Sequence, residues 1–183
     1  MLQGLTLFAK PSHAKGGILL QPAVLYSSGS RVAADSKSES SALRLNVTVG
    51  QLFPSGLLLG LKLWHVSETS SFDGSGSEKS ETEGYGILAG WSQPKSFHGA
   101  VSWIIDPEYT VTGSPSTTRS GGSALVVDLA WRIAISSSLE VGPQLSWSQF
   151  TWKKVKRGSE TTDLDGRWSD TAILPWFAAW LVF

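Results

Sequence analysis

"ALRLNVTVG", residues 42–50, sets Leu43, Leu45, Val47 and Val49 in strict alternation with Arg44, Asn46, Thr48 and Gly50. Side chains of a β-strand point to opposite faces with period two, so this run predicts a strand with one apolar and one polar face. The fold turns on which of the two faces meets water.

The same pattern recurs along the chain. Runs at 18–27, 41–52, 56–67, 83–93, 97–106, 123–134, 139–153 and 167–183 predict eight strands, each near the roughly 10 residues that cross a bilayer at a tilt. Alternation is weakest in the first run, where Pro22 calls for a bulge or an edge-like position. From the second run onward the bulky apolar residues keep one parity, as in Leu57, Leu59, Leu61 and Leu63, in Tyr85, Ile87 and Trp91, and in Val101, Trp103 and Ile105. The opposite parity carries Gly60 and Lys62, Gly84, Gly86 and Gly90, Asp128 and Arg132, then Glu140 and Gln144. A soluble barrel would put its grease inside and many Lys, Glu and Thr outside. Here the polar face is small and sparsely charged, as if crowded, and the apolar face is continuous. That predicts lipid-facing leucines and a narrow polar interior.

Connections alternate in kind. Long Ser-, Gly- and charge-rich segments at 28–40, 68–82, 107–122 and 154–166 are expected as loops at one end, and the short turns "FPSG", "PKS" and "ISSS" at the other. Composition agrees with a single unit. The 183 residues are 41% hydrophobic and 16% charged, with 15 basic and 15 acidic residues that cancel. A balanced charge offers no field for phosphates, so nucleic acid is not expected as a partner. The absence of Cys removes disulfides, thiolate metal sites and a cysteine nucleophile.

No stretch approaches the ~18 apolar residues of a transmembrane helix. "MLQGLTLFAKPSHAKGG" lacks a basic residue before its apolar part and is cut short by Lys10 and Pro11, a poor secretory signal. The expectation is an exported chain whose signal peptide is absent, with Met1 added, residues 1–16 as a flexible extension or plug, and residues 17–183 as the barrel.

Aromatic residues near strand ends, namely Tyr26, Tyr85, Trp91, Tyr109, Trp131 and Phe177, suit the two headgroup layers. The chain stops on "ILPWFAAWLVF". This resembles the C-terminal sorting signal of bacterial outer-membrane barrels, carried here by Phe177, Ala179, Leu181 and Phe183. As a whole, residues 17–183 resemble the small eight-stranded outer-membrane proteins of the OmpX, OmpW and OmpA type. The resemblance implies an all-β, antiparallel up-and-down transmembrane barrel, monomeric, in the outer membrane of a Gram-negative-type envelope. It also implies contact with lipopolysaccharide and delivery to the barrel-assembly machinery through the last strand.

A barrel of eight strands is filled by its own side chains. Arg44, Lys62, Asp128, Arg132, Glu140 and Gln144 are expected inside, with Arg132 facing Glu140 and Asp128 facing Gln144 across the turn at Ser136, and with Asp106 and Asp170 near the long-loop end. Buried charges must pair, so these residues are expected to form a network that plugs the lumen. The function expected is structural, or surface interaction through four long loops, without catalysis.

Two alternatives stay open. In "LWHVSETSSFDG", His65 and Ser67 share the lipid face at the long-loop end, with Glu81 or Glu83 outward on the next strand. That set resembles the His-x-Ser plus Glu constellation of outer-membrane lipid A deacylases, in which a histidine serves as general base to a serine. "HVSET" departs from it by lacking the Asn usual after the serine. The other alternative is a narrow pore for small solutes. His13 and His98 stand without a second ligand at metal spacing, so neither metal nor cofactor is expected. "FDGSGSEKSETEG" and "DLDG" read as solvated loops, and "KKVKRG" at 153–158 as a loop base or a contact for anionic lipopolysaccharide.

Overall fold

A computed structural model describes residues 16–33, 36–72, 76–93, 95–113 and 116–183. The N-terminal extension expected at 1–16 lies outside the described residues except for Gly16. The remainder is β-structure: β1 (Gly17–Ala33), β2 (Ser36–Leu52), β3 (Leu57–Phe72), β4 (Gly76–Ser92), β5 (Phe97–Thr112), β6 (Thr117–Ser120), β7 (Ser123–Trp131), β8 (Ile133–Ala134), β9 (Leu139–Arg157) and β10 (Glu160–Val182). β6, β7 and β8 share one place, since β6 and β7 both pair with β5 and all three pair with β9. They form one strand interrupted at Gly121–Gly122 and at Arg132. With β10 paired to β1, the sheet closes into a ring of eight antiparallel strands.

Register places the apolar parity in rows. Val49 lies opposite Leu61, Leu61 opposite Ile87, and Ile87 opposite Trp103. These residues face outward, with Leu61 60% and Ile87 58% exposed. Soluble monomers rarely expose a contiguous apolar patch beyond a few hundred Å². An apolar belt around a closed barrel instead has hydrocarbon as its solvent.

The four segments expected as long loops are different in kind. β1 runs to Ala33 before β2 starts at Ser36, β3 to Phe72 before Gly76, β5 to Thr112 before Thr117, and β9 to Arg157 before Glu160. Most of each segment is therefore paired strand. Where their side chains are described, the Ser, Thr and charged residues of these segments are exposed or partly exposed on both faces, and pairing satisfies their backbone N–H and C=O groups. The strands thus continue past the belt as polar hairpins. At the other end the chain turns tightly: Gly56 has φ 92° and donates its N–H to the Phe53 carbonyl at 2.9 Å.

β1 does alternate. Leu19, Gln21 and Ala23 are buried, whereas Ile18, Pro22, Val24 and Tyr26 are exposed. In the sequence the pattern is obscured because Leu19 and Leu25 are large residues on the inner parity.

Candidate functional site

The barrel interior gathers most of the polar residues singled out in the sequence. Near the short-turn end, Arg132 Nε lies 2.7 Å from Glu140 Oε2. The Lys95 amide N–H, presented by a residue with φ 54°, also points at that carboxylate, 3.2 Å from Oε1. Arg132 further donates to Ser92 Oγ and lies 5.6 Å from the centre of the Trp180 ring. Halfway along, Lys62 on β3 pairs with Asp128 on β7. The second Asp128 oxygen accepts from Gln144 Nε2 at 2.9 Å and from the Ser146 hydroxyl. Gln21 Nε2 donates to Gln144 Oε1 at 2.6 Å, which ties β1 into the same chain of contacts. Lys62, Asp128, Arg132 and Glu140 are all buried. In so low a dielectric an unpaired charge would be costly, and each of the four has an opposite partner.

Arg44 sits higher, partly exposed. It donates to Ser27 Oγ at 2.8 Å and lies 3.8 Å from Glu68. Asp106 is exposed and accepts the Gly121 N–H at 2.7 Å. Asp170 lines a cavity of about 310 Å³ at the hairpin end, together with Glu68, Glu78 and Tyr109.

Between the ion pairs and that cavity lies an aromatic layer. Trp64 packs against Trp176 at 5.3 Å and Phe150 at 5.7 Å between ring centres, and Phe150 stacks on Trp152 at 5.9 Å. Sequence reading missed these residues as a group, and it weighed His98 only as a metal ligand, whereas its ring is buried and meets Ser92 Oγ at 3.1 Å beside Trp180. The signal was present in their parity, since Trp64, Phe150, Trp152 and Trp176 share the inward faces of Lys62, Gln144 and Ala178.

Of the aromatics expected at the membrane surface, Tyr26, Tyr85, Trp91, Trp131 and Phe177 face outward. Tyr109 does not. It turns into the lumen, 6.0 Å from Trp152 and with Arg119 over its ring. The cause is a bulge: Glu83 pairs with Glu108 and Tyr85 with Ile105, so Asp106 and Pro107 oppose Gly84 alone. Asp106 takes φ 44°, and the extra residue reverses the parity of the rest of β5. Phe183 and Ile18 exchange backbone hydrogen bonds at 3.0 and 3.1 Å, so the C-terminal residue closes the ring.

On the outside, His65 and Glu83 are opposite one another, and His65 Nδ1 lies 3.1 Å from Glu83 Oε1. Ser67 lies opposite Glu81, one pair further from the membrane, and no hydrogen bond joins it to His65. Glu81 is taken by Lys79 at 2.6 Å. That hydrogen bond and charge, with a smaller contribution from His65, hold the Glu81 carboxyl below its ordinary pKa.

No protein-family model and no curated protein matches the chain. Among solved structures it is similar to Neisserial surface protein A, at 8% identity and TM-score 0.48 over 92% of this chain and 97% of that one. It is also similar to the beta domain of the Bordetella autotransporter BrkA, at 11% identity and TM-score 0.39 over 92% and 98% of the two chains. A third is the outer membrane protease OmpT from Escherichia coli, at 10% identity and TM-score 0.42 over 92% and 94%. At these values the likeness transfers neither activity nor partner. By its own topology and exposed belt, the chain is an all-β, eight-stranded, antiparallel up-and-down barrel of the membrane-spanning kind.

Proposed function

We propose that the protein is a monomeric barrel of the bacterial outer membrane whose lumen is closed, and that it acts through the polar hairpins it raises above the membrane. The observation that carries this reading is the pairing of the four buried charges among the described residues, Lys62 with Asp128 and Arg132 with Glu140, beneath a layer of packed aromatic rings. A conducting path would have to break both pairs in a medium where each freed charge is expensive. What remains accessible is the outside: a lipid-facing belt and strands extended well past it. Lipopolysaccharide is then the immediate neighbour, and the strand ending at Phe183 is the segment offered to the assembly machinery. Planar bilayers test the closed lumen. The purified barrel is expected to give no conductance steps, whereas steady single-channel current altered by Glu140→Gln would replace this reading with a narrow pore.

A second reading has one observation in its favour, the 3.1 Å contact of His65 with Glu83 on the outer face. It would make His65 a base oriented by Glu83, with Ser67 as nucleophile toward a lipid ester. The test is incubation of the folded barrel with lipid A and mass spectrometry of the products. Release of a 3-hydroxy acyl chain that is abolished by Ser67→Ala establishes a hydrolase, and intact lipid A dismisses it.

A further inference from the structure

The join between β1 and β10 is unlike the other seams of the barrel. Ile18 and Phe183 exchange both backbone bonds, which fixes the direction of every amide along the seam. Even-numbered residues of β1 and odd-numbered residues of β10 aim their N–H groups at each other. Pro22 and Pro175 belong to these two sets, so each strand lacks a donor where the ladder needs one. Pairing follows Leu19–Val182, Leu20–Leu181, Ala23–Ala178 and Val24–Phe177, and there it stops. Among the described residues nothing in Leu25–Ala33 pairs with Glu160–Trp176, and the next hydrogen-bonding position in register would set Tyr26 against Pro175. The flanking hairpins are not to blame. β1 pairs with β2 up to Ala33–Ser36, and β9 with β10 up to Arg157–Glu160.

We propose that the hairpin-side half of this seam is a lateral opening occupied by a lipid of the surrounding outer leaflet, one acyl chain lying between β1 and β10. The inference rests on the membrane reading of the barrel. The rims of the opening are hydrocarbon: Val24 and Tyr26 on one side and Ile173 and Phe177 on the other are strongly exposed. Its inner wall is formed by the partly buried Leu25 and Leu174, which pack against the buried hydrophobic cluster. An acyl chain matches those surfaces. The amides of Tyr26 and Ser28 lose their strand partner at the level where Tyr26 marks the headgroup boundary, and the ester carbonyls of the same lipid are acceptors at that depth. Below the opening the seam is sealed, by the Ile18–Phe183 bonds and by Gln21 reaching Gln144 behind it.

The test uses single cysteines labelled with bimane in vesicles of phosphatidylcholine brominated on its acyl chains, compared with unbrominated vesicles. A label at Leu174→Cys is expected to lose at least half its fluorescence, while one at Val126→Cys, fully buried, is expected to lose none. In a Pro22→Val/Pro175→Val background, where both donors return, quenching at position 174 is expected to fall at least twofold. No quenching at position 174, or quenching that the two valines leave unchanged, overturns the opening. A label at Leu61→Cys reports the membrane reading separately, because it sits in the lipid-facing belt away from the seam. Quenching there but not at position 174 discards only the opening, and silence at both discards both readings. Disulfide-linked dimers of Tyr26→Cys with no quenching at position 174 would assign the seam to a strand of a second copy, against the proposal. Should the valine variant not refold, hydrogen exchange of the unmodified chain decides: Tyr26 and Ser28 amides are expected to exchange far faster than those of Leu43 and Leu45 on β2, and equal protection overturns the opening.

Discussion

Arg132 Nε and Glu140 Oε2 stand 2.7 Å apart inside the barrel, contributed by the two strands that flank the turn at Ser136. Both are buried, and Glu140 also receives the Lys95 amide from the neighbouring turn. Removing one partner leaves the other charged and unpaired. Glu140→Gln is therefore expected to destabilise the folded barrel by about 3 kcal/mol or more. Replacing both residues by apolar ones of similar volume, Arg132→Met with Glu140→Leu, should recover most of that loss. Urea unfolding in micelles measures it, and an additive double variant would show that the pair is not coupled.

Small residues on the inner parity are required by space. A Cβ added at Gly86 would meet the Trp103 carbonyl oxygen at 2.0 Å, whereas at Gly29 it would meet nothing within 4 Å. Gly86→Val is expected to abolish the folded, heat-modifiable species, and Gly29→Val to leave it intact. Equal yields from the two would contradict the packing described.

The belt makes a depth-dependent prediction. Leu61→Arg places a charge amid Val49, Ile87 and other apolar neighbours and is expected to cost about 2–4 kcal/mol in lipid vesicles. Ser77→Arg, in a hairpin beyond the belt, should stay within about 0.5 kcal/mol. The comparison is read from unfolding midpoints of the two variants in the same vesicles.

On the hairpin side, Lys79 lowers the Glu81 pKa. Because the folded-state value is depressed, the interaction is present above the unfolded carboxyl pKa and is lost as pH falls through the folded one. Carbon-detected titration of Glu81 should give a midpoint below that of an ordinary glutamate, and Lys79→Met should raise it. A midpoint indifferent to that substitution would detach the two residues.

Period-two alternation carried the fold because in this chain it has one cause, a sheet with lipid on one side. Leu43, Leu45, Leu61 and Ile87 could be assigned from their neighbours in sequence alone. Tyr109 could not. The bulge that inverts it depends on Asp106 adopting a positive φ against Gly84 of another strand, a pairing no local pattern announces. The polar segments misled for a related reason. In "SETSS" both faces are wet, so hydrophobicity is silent and only the partner strand "SEKSE" fixes the conformation. Within the interior, Arg132 and Glu140 were legible as a pair from their shared parity beside a short turn, but the expected register was two residues off. Asp128 lies opposite Ser146 instead of Gln144 and Glu140 opposite Ala134, so Arg132 reaches Glu140 on the diagonal. Lys62 meets Asp128 across 66 positions and is placed only by closing the ring.

The central claim is that the apolar parity faces lipid, and refolding tests it most directly. Chain unfolded in urea is diluted into buffer alone and into detergent micelles, and each sample is followed by circular dichroism and heat-modifiable gel mobility. A β-rich, heat-modifiable species is expected in micelles, and aggregation in buffer. A soluble, cooperatively folded monomer in buffer without detergent would contradict the claim.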